Sequence, residues 1–176
     1  MEANDIDWSG PQGSFKLRAA GVVSDGERVL VCAVDGIDGW FLPGGRVRFG
    51  EDSAAGLRRE LWEELGVRVS VDGGPLLVAE GIRDAGGVIH QEVCFYYPVA
   101  WPERVPPEPV TGRDGNRFRW VRFDDLAGLP FLPPEILGVL TGRVGGLRHV
   151  CFDRRAPRPA ERGKSPDHGG MTGRRA

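Results

Sequence analysis

Apolar positions along the first forty residues fall into two runs, residues 15–24 (FKLRAAGVVS) and 28–34 (RVLVCAV), both strand-like. Ser24, Asp25, Gly26 and Glu27 between them carry an Asp-Gly pair, the signature of a tight hairpin turn, so a β-hairpin is expected to open the fold. A short run, Trp40, Phe41 and Leu42, is stopped by Pro43, Gly44 and Gly45, where a loop must follow. The rhythm then changes. Ala54, Leu57, Leu61 and Leu65 recur at steps of three and four, which predicts a helix over 53–65. Asp52 or Ser53 is placed to cap its start and Gly66 to end it. Strands are expected again at 67–71, 76–83 and 88–101, the last two parted by a turn at Asp84, Ala85, Gly86 and Gly87. Residues 117–123 (RFRWVRF) alternate as a half-buried strand does. Asp124 and Asp125 suit a short helix start, Pro133 a helix entry over 133–140, and residues 147–152 a last strand.

Many strands interleaved with two or three helices predict an α/β or α+β sandwich, a mixed β-sheet covered by helices. The chain of 176 residues, 40% hydrophobic and 27% charged, is long enough for one domain with a real core. The expected organisation is a short N-terminal extension (1–14), one domain (15–153) and a basic, non-periodic tail (154–176). The tail holds seven Lys and Arg against Glu161 and Asp167, a surplus of +5, which leaves −7 for the remainder of a chain whose net charge is −2. An acidic body repels a phosphate backbone, so nucleic acid is a poor partner. The absence of an apolar run of membrane-spanning length argues against a membrane and for a cytoplasmic location. Cys32, Cys94 and Cys151 sit singly in apolar runs and read as reduced core residues.

Chemistry concentrates in residues 45–67 (GRVRFGEDSAAGLRRELWEELGV). Glu60, Glu63 and Glu64 crowd one part of the helix near its C-terminal end, where the macrodipole also disfavours anions. Something positive must offset them. Carboxylate oxygens at this spacing suit a hard divalent cation such as Mg2+ or Mn2+. Arg59 among the acids is placed to hold Glu51 bidentately and so to fix side-chain directions. An acid-rich helix is by itself usually a solvated face.

Residues 45–67 resemble the Nudix box, G-x5-E-x7-R-E-U-x-E-E-x-G-U with U a bulky aliphatic, and all nine specified positions are matched, from Gly45 to Val67. Phe41 to Gly44 before the box, and Trp120, Val121 and the following acids after it, are similar to flanking features of the family. The resemblance implies a loop-helix-loop motif in an α/β/α sandwich, with Glu60, Glu63 and Glu64 carrying the metals and the Gly45 carbonyl as a further ligand. It also implies a glutamate general base, with Glu60 and Glu63 as the candidates inside the box and Arg59 beside them. Glu92, on a strand that alternates His90, Glu92, Cys94, can bring a fourth carboxylate. The implied reaction is hydrolysis of the diphosphate in a nucleoside diphosphate derivative, or of a nucleoside triphosphate, by water attack on phosphorus. A nucleotide-sensing protein of the same fold without turnover is the alternative, disfavoured because all the box acids are present. The partner is a small nucleotide; a homodimer is compatible with the sequence. Substrate choice is expected to lie in the loops at 35–39, 83–88 and 102–115.

Overall fold

The computed structural model describes residues 4–99, 101, 110–112, 115–142 and 146–155. One sheet runs in the order β1 (Asp7–Gly10), β2 (Gly13–Val23), β6 (Val88–Val99), β5 (Leu77–Ala85), β9 (Arg148–Arg154), with β4 (Gly44–Arg46) also paired to β2. A second sheet joins β3 (Arg28–Ala33), β8 (Arg117–Arg122) and β7 (Val110–Thr111). The first sheet is mixed: β2 lies parallel to β6 and β5 parallel to β9, while β5 and β6 form an antiparallel hairpin through Gly86 and Gly87, both at positive φ.

Alternate residues of these strands feed two cores. Ala19, Leu30, Cys32, Phe118, Trp120 and Tyr97 pack with Leu57 and Leu61 of helix α1 (Ser53–Leu65). Their neighbours Ala20, Val29, Val31, Val121 and Tyr96 pack with Leu126, Phe131 and Ile136, around two 3-10 turns (Phe123–Gly128 and Pro134–Ile136) and the short helix α2 (Leu137–Thr141). Strand β3 is buried at five successive positions because it faces both cores, as a continuous apolar run requires. The result is a mixed α+β fold with strands between helical layers.

Helix α1 is held at both ends. Asp52 accepts a bond from the Ala55 N–H at 2.7 Å, and Gly66, at φ 70°, donates its N–H to the Trp62 carbonyl. Asp52→Ala is expected to cost about 1 kcal/mol of stability, a loss readable as a lower urea midpoint at unchanged slope.

Three expectations are corrected. The Asp25-Gly26 turn does not make a β2–β3 hairpin: beyond a single bridge, Ser24 to Val29, the strands separate into different sheets. β2 instead gains eleven partners in β6 and β3 gains six in β8, and these long ladders outweigh a local one. Residues 67–71 form no strand, although Val69 and Val71 are buried in the α1 core. Cys32 and Cys94 are buried but Cys151 is exposed, since β9 lies at a sheet edge. The N-terminal residues carry an element that the sequence does not announce, β1, paired to the start of β2. Residues 156–176, nearly all of the basic tail, lie outside the described residues. Among the described residues no helix is long and apolar enough to cross a membrane.

Candidate active site

Arg59 is the hub of the acidic segment. Its Nε and Nη2 donate to the two oxygens of Glu51 at 3.1 and 2.6 Å, and Nη2 also donates to the Arg46 carbonyl at 2.8 Å. Its Nη1 donates to Glu60 Oε1 at 2.7 Å and to Glu63 Oε2 at 3.0 Å. All five N–H donors of the guanidinium are thus engaged, four of them on carboxylates. Burial opposes the positive charge of Arg59, but the bonds to Glu51 and Glu60 outweigh it and raise its pKa further. Burial likewise pushes Glu51 up, and the Arg59 guanidinium with the Arg48 backbone N–H more than reverses this. Glu51 is therefore ionised at neutral pH, tying the loop before α1 to the helix.

A second arginine reaches the same acids. Arg48 faces Glu63 with Nη1 at 3.2 Å from Oε1, and its Nε lies 3.5 Å from Asp5. Asp5 in turn accepts from Arg46 at 2.8 Å, and chiefly that bond holds its carboxyl below the usual range. Charge that the sequence assigns wholly to a metal is here met in part by Arg48 and Arg59.

Glu60, Glu63, Gly45 and Glu92 line one cleft of about 400 Å³, together with Asp5, Lys16, Arg18, Arg46 and Arg48. Glu60 is 17% exposed and Glu63 44%, so Glu60 forms the inner wall and Glu63 the outer one. The parallel register of β2 and β6 sets Lys16 beside Glu92, and Arg18 approaches Glu92 at 3.7 Å. Glu64 is not part of this lining. It is 8% exposed on the buried side of the helix, with Oε1 3.5 Å from the Asn116 amide. Among the described residues no three His, Cys, Asp or Glu side chains already converge as a metal cage. The donor set of the cleft is nonetheless all oxygen, which fits Mg2+ or Mn2+ and not a soft metal.

Lys16 and Arg18 are missing from the sequence-based site. Their signal is weak but present: Ser14, Lys16 and Arg18 alternate onto one face of a strand, yet only the pairing with β6 brings that face to the acids. Lys16, Arg18 and Glu92 also line a second, adjoining pocket of about 550 Å³, whose other walls include Phe41, Leu42, His90, Leu132, Pro133 and Phe152. His90 bonds Ser14 across β2 and β6 at 2.7 Å. Trp62 faces outward, 40% exposed, beneath the Arg68 guanidinium.

A loop and helix thus present carboxylates among arginines, beside a larger pocket. A model of the NUDIX domain matches residues 15–139, and the chain belongs to that family, as a Nudix pyrophosphohydrolase. Its fold is similar to that of the mutator MutT protein of Bacillus halodurans, at 18% identity and TM-score 0.61, over 78% of this chain and 90% of that one. It is also similar to the MutT protein of Methanosarcina mazei Go1, at 19% identity and TM-score 0.55, over 75% and 94%. An ADP-ribose pyrophosphatase of Streptococcus suis aligns at 16% identity and TM-score 0.50, over 76% and 98%. No curated protein matches the chain. Nudix hydrolases generally use divalent metals such as Mg2+ or Mn2+.

Proposed function

We propose that the chain hydrolyses the diphosphate linkage of a nucleoside diphosphate joined to another group, or of a nucleoside triphosphate, in the cleft between α1 and β2. The observation that carries this reading is the joint lining of that cleft by Glu60, Glu63 and Glu92 with Lys16, Arg18, Arg46 and Arg48. Acids alone would suit a cation and bases alone an anion; the two together suit a cation and a phosphate held side by side. Glu60, Glu63, Glu92 and Gly45 are the metal-holding set, and Glu64, which lies against Asn116, is the box acid whose expected metal role the geometry supports least. The chemistry supplied by a bound divalent cation is neutralisation of phosphoryl charge and acidification of a water.

The protein's own groups do the rest. Lys16, Arg18 and Arg46 bind phosphoryl oxygens and orient the diphosphate. Glu63, the more exposed of the helix acids in the cleft, accepts the proton of the attacking water. Arg59 and Glu51 keep Glu60 and Glu63 pointing into the cleft.

Turnover of a panel of ADP-ribose, sugar nucleotides, dinucleoside polyphosphates and nucleoside triphosphates tests the reading, with phosphate or mononucleotide release as the readout. Activity is expected with Mg2+ or Mn2+, to vanish with EDTA and to return on re-addition of metal. Nucleotide binding with no turnover of any member would replace the reading with that of a sensor.

A further inference from the structure

We propose that the last strand, β9, supplies the platform on which the nucleobase of the substrate stacks, with Phe152 as the specificity-determining residue. This rests on the reading above in one respect, that the substrate is a nucleotide whose diphosphate occupies the acidic cleft. The pocket next to that cleft shares Lys16, Arg18 and Glu92 with it, so a group attached to the diphosphate passes directly into the pocket.

Strand β9 lies beyond residue 139, where the match to the NUDIX domain ends, yet it joins the sheet through seven parallel partners in β5 and places Phe152 and Arg154 in the pocket wall. Phe152 is paired with Gly81, and its ring tip lies where a side chain at position 81 would begin: a Cβ there would stand 2.6 Å from Cζ. Glycine inside a strand marks such a close approach. The ring is therefore seated over β5 at the pocket and only partly buried, while the Arg154 guanidinium lies 5.2 Å from its centroid.

Arg154 is anchored as well. It bonds Glu135 through both Nε, at 2.8 Å, and Nη2, and that bond chiefly holds the Glu135 carboxyl below its ordinary range. Glu135 follows Leu132 and Pro133, which line the same pocket, so the ion pair clasps β9 to the apolar wall. A fixed aromatic ring backed by a guanidinium is a surface that planar bases favour over sugars or alkyl groups.

The test compares wild type with Phe152→Ala, Phe152→Leu and Phe152→Tyr. Steady-state kinetics on the preferred substrate are paired with calorimetric binding of its mononucleotide product in EDTA, which does not depend on turnover. Phe152→Leu keeps apolar volume for folding and removes the flat ring. Loss of stacking is expected to raise KM and the nucleotide Kd about 10- to 100-fold in the Ala and Leu variants. The value of kcat should stay within about twofold because the ring is remote from the water, with Phe152→Tyr near wild type. Unchanged KM and Kd in folded Phe152→Leu would overturn the inference, as would wild-type protein that binds no mononucleotide. A wild type that binds the nucleotide through Phe152 but turns over nothing would support the platform and remove the hydrolase reading instead.

Discussion

Glu63→Gln is expected to lower kcat by about a thousandfold with saturating Mg2+, the loss typical when a general base is replaced by its amide. The substitution keeps the shape of the side chain and one acceptor for Arg48 or Arg59. Because Glu63 is 44% exposed, its ion pairs are solvent-screened and the variant should melt close to wild type. Stopped-time assays beside a thermal melt separate chemistry from folding. Glu60→Gln is the matched comparison: a thousandfold loss there with Glu63→Gln unaffected would move the proton-accepting role to Glu60, which accepts from Arg59 at 2.7 Å and lies against Gly45.

The two glycines before the helix should separate in the opposite sense. Gly44 is at φ 141°, and a Cβ on it would stand 2.2 Å from the Ala19 carbonyl oxygen, a backbone atom in the centre of β2. Gly44→Ala is thus expected to destabilise by about 3 kcal/mol or more, combining backbone strain with overpacking. The atoms nearest a Cβ on Gly45 would be those of the Glu60 carboxylate, at 2.2 to 2.6 Å, and Gly45 is not among the positive-φ residues. A side-chain end can swing away, so Gly45→Ala should cost about 1 kcal/mol or less in stability. It would push Glu60 out of the cleft, however, and activity should fall about a hundredfold, since an ångström of misplacement is enough for that. Paired urea titrations and metal-dependent rates on the two variants check both halves. Equal stability losses would mean that Gly45 serves the fold rather than the site.

Helix α1 was legible in the sequence because its determinants are local: Leu57 and Leu61 one turn apart, Asp52 at the start, Gly66 at the end. The Arg59–Glu51 pair was legible for a similar reason, since both residues stand at fixed offsets in one motif. What the chain hides is partnership between distant strands. Residues 15–24 read correctly as a strand, yet nothing near them indicates β6, so Lys16 and Arg18 stand outside the site that the sequence alone suggests. The turn at Asp25-Gly26 has hairpin chemistry but serves as a passage between sheets. Glu64 shows the limit of spacing arguments on a helix. Its offset from Glu60 predicts a shared patch, but it lies between the Leu57–Leu61 stripe and Glu60, and the structure turns its carboxylate inward to Asn116.

Sheet order also governs when the enzyme becomes an enzyme. Strand β2 leaves the ribosome well before its parallel partner β6, whose residue Ile89 meets Gly13, and β5 likewise waits for β9, whose residue Arg148 meets Leu77. Until β6 emerges, one side of β2 has no ladder and Glu92 has no place beside Lys16; an open apolar edge of that kind invites pairing with other chains. Contacts so distant along the chain slow folding relative to helical proteins of similar size. Synthesis at low temperature or with chaperones should therefore raise the yield of active protein more than any gain in the stability of α1, because the vulnerable interval precedes the closing of the sheet.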